Sequence, residues 1–233
     1  MGDPLFLILL VGIPLISQAV ASQMRKRFVT FSSDPIQYSG AEVAAMMLDQ
    51  SDIHDVQITA TGGQLTDHYN PTNKTVNLSE VVCHERNIAA AAVAAHEVGH
   101  AVQHATGYPL LTARSKLVPL LNISNKILPL VAMGGAGVTG MLMQQFGPLK
   151  YAFIAALGLP ALFAVVTLPV EFNASNRALA WMERTNLVPG EQHARAKKAL
   201  FWAAMTYVIA ALGSIAQLLY YARFFMGGSR RRF

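Results

Sequence analysis

The stretch AAAAVAAHEVGHAVQHA, Ala89 to Ala105, sets His96, Glu97, His100 and His104 into a run that is otherwise small and apolar. Alanine is the best helix former, so each polar residue here is a departure that needs a reason. Two readings compete. Either these side chains bind a metal and do chemistry, or they are polar punctuation on a helix that packs through small residues. Residues four apart share one face of a helix, so His96 and His100 can ligate a single ion, with Glu97 beside them. This is the H-E-x-x-H arrangement, in which two neutral imidazoles hold zinc and the glutamate serves as general base. Zinc lowers the pKa of bound water from about 15.7 towards 7, and a neighbouring carboxylate can take the proton. The motif falls inside a strongly helical segment, which is the context it requires.

Composition places that helix in an unusual chain. Hydrophobic residues make up 53% of the 233 and charged residues 13%, about half the ordinary charged share. The apolar residues are bunched into four runs, at 4–22, 117–143, 151–170 and 199–222. Spanning the hydrocarbon core takes roughly 17–25 apolar residues, so each run is a candidate membrane helix. The expected fold is mainly α: a multi-pass membrane protein of about four transmembrane helices, with a small α+β zincin-like region on one face. The first run could be read as a cleaved signal peptide, because Ala19-Val20-Ala21 resembles a cleavage site. A signal peptide, however, wants positive charge before the apolar run, and here Arg25-Lys26-Arg27 follows it, so a retained helix is expected. Phe6 stands where a myristoylation signal needs Ser or Thr. The lone cysteine, Cys83, excludes an internal disulfide and a multi-cysteine cluster, and reads as a buried thiol. The net charge of +5 is spread along membrane-flanking stretches without aromatic interleaving, so no nucleic-acid partner is expected.

The stretch 23–116 is the longest polar one. Ser39-Gly40-Ala41-Glu42 has the form of a capping box for a helix through Ala44, Met47 and Leu48. VQIT at 56–59, QLTDHYN at 64–70 and Lys74 to Leu78 read as short strands in a small hairpin-containing unit. The long helix is expected to begin soon after Ser79 and to end near Gly107-Tyr108-Pro109. A second polar stretch, 171–198, is helical up to a break at Pro189-Gly190. The runs at 117–143 and 151–170 are separated only by a short connection, so they form an antiparallel hairpin and return both polar stretches to one side. That side carries Arg25, Lys26, Arg27, Arg114, Lys116, Arg195, Lys197 and Lys198. The positive-inside rule makes it the cytoplasmic face of the cell membrane, with the Arg230–Arg232 tail as the one disagreement.

A catalytic zinc usually keeps three protein ligands and an open position. No histidine follows in an H-E-x-x-H-x-x-G-x-x-H pattern, since Gln103 and Thr106 occupy the relevant places. Glu171 opens the second polar stretch, where a carboxylate can turn towards the metal helix or merely mark the membrane boundary. Spacing leaves both open. His104 reads as a helix-surface residue, His68 and Tyr69 as structural, Tyr207 as an interhelical hydrogen bonder, and His193 as a candidate oxyanion donor.

Four segments carry a resemblance: TDHYNPTNKTVNLSE (66–80), VAAHEVGHAVQHATGY (93–108), LPVEFNASNRAL (168–179) and AAMTYVIAAL (203–212). In this order, over most of 35–212, they resemble the YugP-like neutral zinc metallopeptidases of bacterial membranes. Glu171-Phe172-Asn173-Ala174-Ser175 is also similar to the E-x-x-A-D pattern of the membrane-bound heat-shock-type zinc proteases, whose glutamate is the third zinc ligand. The resemblance therefore implies a gluzincin-type site with zinc on His96, His100 and Glu171. Ser175 departs from it, standing where those relatives place aspartate. A serine can still hydrogen-bond a ligand histidine, more weakly than a carboxylate does.

The expectation is a membrane-embedded zinc endopeptidase with Glu97 as general base, acting on protein or peptide substrates in or beside the bilayer. The strands before the metal helix would receive an extended peptide by β-addition. A site-2-type intramembrane protease would need a distant Asp-Gly ligand within an apolar span. Asp3, Asp34, Asp49, Asp52, Asp55 and Asp67 all lack a following glycine and lie outside the spans. A non-catalytic scaffold holding structural zinc is the remaining alternative, and it has no need of Glu97. Membrane-protein partners and oligomeric state are not specified by the sequence.

Overall fold

The computed structural model describes residues 4–133 and 147–227. Helix α1 is Pro4–Ser32, with a π-helical turn at Ile8–Gly12 just before Pro14. Proline has no N–H to give a helix, and a local π turn is one way of absorbing that loss. Next come α2 (Gly40–Asp49), β1 (Gln57–Thr61), β2 (His68–Asn70), β3 (Thr75–Ser79), α3 (Glu80–His84) and α4 (Ile88–Ala105). The long helices α5 (Pro109–Met133), α6 (Gly147–Arg184) and α7 (Glu191–Gly227) follow. Among the described residues, three helices are long and apolar enough to cross a membrane: α1, and the segments Lys150–Arg184 of α6 and Glu191–Phe225 of α7. The run at 117–143 begins within α5. Its end at 134–143, the connection at 144–146 and the Arg230–Arg232 tail lie outside the described residues.

Local chemistry explains most element ends. The capping box is present: Glu42 N–H donates to Ser39 Oγ at 3.3 Å, and Ser39 N–H donates to Glu42 Oε2 at 2.7 Å. That backbone bond, with Arg86 nearby, holds the Glu42 carboxyl below its ordinary range. The three strands form one sheet in the order β1-β3-β2, with β1 parallel and β2 antiparallel to β3. The hairpin therefore joins β2 to β3, and the turn at 61–63 does not fold β1 back on β2. Asp67 explains why the run at 64–70 pairs only from His68. Its carboxylate accepts the Ser79 N–H at 2.7 Å and bonds the Ser79 hydroxyl, which spends 62–67 on crossing to the far edge of β3.

The helix expected to start after Ser79 is two helices. Residues 85–87 are drawn out of helical conformation by the segment at 34–40. Ile36 N–H donates to Arg86 O at 3.0 Å, Ile88 N–H to Asp34 O at 3.1 Å and Gly40 N–H to Glu85 O at 3.3 Å. Asn87 then caps α4, its side chain accepting from Ala90 N–H at 2.8 Å. At the other end Gly107 takes φ +65, a conformation that glycine adopts without steric cost, and Pro109 opens α5.

The described chain divides into two compact units, one of them comprising Ala19–Thr112 and Pro169–Thr206. The core of this unit is α4 itself, with Ala90, Ala91, Ala92, Ala94, Ala95, Val98 and Ala101 all buried, surrounded by Val43, Met47, Val76, Leu78 and Met182. A helix of alanines with no exposed stripe is one that neighbours approach on every side. Within this unit Glu171 and Ser175 lie on α6, one helical turn apart.

Candidate metal centre

The faces of α4 and α6 that meet carry His96, His100 and Gln103 from one helix and Glu171 and Ser175 from the other. His96, His100 and Glu171 each direct one ligand-type atom to a common point, and these atoms lie within 4.8 Å of one another. His96 Nε2 is 3.2 Å and His100 Nε2 3.6 Å from the same oxygen, Glu171 Oε2. Glu171 is 2% exposed and His100 6%. The imidazole rings meet edge to face, with centroids 4.8 Å apart.

Gly99 allows this approach. A Cβ there would lie 2.6 Å from the carbonyl oxygen of Ala174, so α4 meets the backbone of α6 between Glu171 and Ser175. The outer nitrogens of the two histidines are also held. His96 Nδ1 lies 3.1 Å from Ser175 Oγ, and His100 Nδ1 lies 3.0 Å from Gln103 Oε1.

Glu97 stands beside the group and is buried. The Tyr69 N–H of β2 donates to its Oε2 at 2.9 Å. The Tyr69 hydroxyl is 2.7 Å from His104 Nδ1, so Tyr69 ties both its backbone and its side chain to α4. Burial, with a smaller contribution from Asp55, raises the Tyr69 phenol above its ordinary pKa. His68 is occupied elsewhere, with Nδ1 2.7 Å from the Thr66 carbonyl oxygen. His193 lies on α7 with Nε2 3.1 Å from the Leu179 carbonyl oxygen, and is not one of the residues gathered around Glu171. Cys83 is a buried free thiol whose pKa burial pushes up.

The donor set fits zinc. Two imidazole nitrogens and one carboxylate oxygen are the ligand types zinc takes, and with bonds near 2.1 Å tetrahedral ligands sit roughly 3.4 Å apart. The separations from Glu171 Oε2, 3.2 and 3.6 Å, are near that value, whereas the set as a whole lies within 4.8 Å, so a bound ion would draw its atoms closer together. Two imidazole nitrogens and a carboxylate oxygen gathered in a buried place form a donor set that a cation could bridge.

Gln103, Asn173, Gly99 and the Tyr69 amide are the residues here that motif reading passes over. Gln103 carries a faint signal, since three places past His100 puts it on the same helix face. Each also has a partner on another element, which no local pattern reveals.

Comparison with known proteins points to a zinc-dependent family. Residues 5–226 match the family described as "putative neutral zinc metallopeptidase". The chain is 39% identical over 190 residues, 82% of each chain, to the protein of Bacillus subtilis (strain 168) named "Putative membrane protease YugP". No solved structure matches the chain at a significant level. With the match running over nearly its whole length, the chain belongs to the neutral zinc metallopeptidase family so described.

Proposed function

We propose that the chain is a membrane-embedded zinc endopeptidase in which His96, His100 and Glu171 hold the metal and Glu97 is the general base. The observation that carries this reading is the convergence of two imidazoles and a buried carboxylate with a second carboxylate, Glu97, beside them. When bound, zinc would lower the pKa of an attacking water to about 7 and polarise the scissile carbonyl. Glu97 would take the proton from that water and pass it to the amine of the departing peptide, so the carboxylate is restored at the end of the cycle. The Tyr69 amide keeps Glu97 Oε2 in place for that transfer. Edge strand β2, which lies against Glu97, offers a backbone edge for an extended peptide. A structural zinc site has no use for such a base, which favours the enzyme over a scaffold.

The test is cleavage of a peptide library by the full chain in detergent. Cleavage is expected to disappear on chelation and to return with stoichiometric zinc, one ion per chain. Activity that survives metal removal would sink the proposal.

Membrane spans at 4–22, 117–143, 151–170 and 199–222 belong to the same proposal, with 23–116 and 171–198 on the cytoplasmic side of the cell membrane. Arg25, Lys26, Arg27, Arg195, Lys197 and Lys198 in those stretches support this orientation. An impermeant thiol reagent added outside intact cells is expected to leave Ser51→Cys unlabelled in a Cys83→Ser background. Labelling would reverse the orientation.

A further inference from the structure

Gln103 is fully buried, at 0% exposure, and lies on α4 one turn past His100. Its amide is engaged at both ends. Oε1 is 3.0 Å from His100 Nδ1, while Nε2 donates to the Val170 carbonyl oxygen at 2.8 Å and to Asn173 Oδ1 at 3.0 Å. Asn173 Oδ1 also accepts from Arg177 Nε at 2.8 Å.

The far ends of this chain set the direction of every bond in it. A backbone carbonyl cannot donate and a guanidinium cannot accept. Arg177 therefore requires the oxygen of Asn173, and Val170 and Asn173 together require the NH₂ of Gln103. Turning the Gln103 amide over would set its oxygen against two acceptors in a buried place, which is costly. Only its carbonyl oxygen is left for His100, and that oxygen accepts only. A neutral His100 must then carry its proton on Nδ1 and present the lone pair of Nε2 towards Glu171. His96 is under no such constraint, because the Ser175 hydroxyl can donate or accept.

We propose that Gln103 is a positioning residue that fixes the tautomer and ring orientation of His100, with Asn173 and Arg177 holding Gln103 in turn. This rests on the zinc reading given above. Outer partners of this kind orient a ligand histidine, and losing one typically weakens metal binding by about 10–100-fold. The polarity of the chain runs from a cation on α6 to a ligand on α4, so it acts without any contact between Asn173 or Arg177 and the metal.

Zinc affinity of the full chain in detergent, measured by competition with a chromophoric chelator at fixed pH, tests this. Gln103→Met keeps the length of the side chain and removes its hydrogen bonds, and is expected to bind zinc about 10–100-fold more weakly. Asn173→Leu should also weaken binding. Asn173→Asp should stay close to the wild type, because its carboxylate still accepts from both Gln103 and Arg177. Wild-type affinity in Gln103→Met would overturn the proposal. So would Asn173→Asp binding as poorly as Asn173→Leu, which would reduce the network to packing. Should Gln103→Met fail to fold, the Asn173 pair decides alone. A wild type that binds no zinc would sink the metallopeptidase reading together with this inference, whereas a zinc-binding wild type with unaffected variants sinks the inference only.

Discussion

Glu97→Gln is expected to fold, insert and retain its zinc while losing about 10²–10⁴-fold in peptide cleavage, the range typical of general-base catalysis. The reason lies in what Glu97 touches. It is buried beside His96, outside the group of three that converges on one point. Its known partner is the Tyr69 N–H, which a glutamine oxygen can still accept. The exchange therefore keeps shape and hydrogen bond and removes one property, the capacity to take a proton. A variant of this kind should hold peptides without cutting them and so act as a substrate trap. Undiminished cleavage would place the base elsewhere. A wild type that holds zinc yet cleaves nothing across a broad library would favour a scaffold.

What could be read from the chain alone follows the range of the forces involved. Ser39 and Glu42 form their capping box from adjacent residues, and Gly107-Tyr108-Pro109 ends a helix by its own backbone preferences. The spacing of His96 and His100 is likewise local, because one helix turn brings them together whatever surrounds them. The break at 85–87 was not legible, since it depends on hydrogen bonds to Asp34, Ile36 and Gly40 some fifty residues earlier. The strand order had the same limit. Asp67 decides it through Ser79, twelve residues on, and alternation within QLTDHYN carries no trace of that bond. Spacing also left Glu171 undecided between ligand and boundary charge. The structure brings it within 3.2 Å of His96, along an α6 backbone whose distance from α4 no residue count could supply.

That distance gives Gly99→Ala a large expected effect. Two contributions oppose each other at this position. Alanine in place of glycine inside a helix favours the helix by roughly 1 kcal/mol. The new methyl group, however, would sit 2.6 Å from the Ala174 carbonyl oxygen and 3.1 Å from its Cα. These are backbone atoms of a long helix, with no flexible side chain to move aside. Overpacking of this kind costs typically about 1–3 kcal/mol, so the clash outweighs the gain in propensity. Relief requires α6 to move away from α4 at Ala174, three residues after Glu171 and one before Ser175. The displacement therefore falls on a proposed zinc ligand and on a partner of His96. Gly99→Ala is expected to lower the melting temperature of the zinc-free chain and, separately, to weaken zinc binding in the chelator competition. An undisturbed zinc affinity would mean that Glu171 does not depend on this close approach. A raised melting temperature would show that helix propensity, and not the contact with Ala174, governs the position.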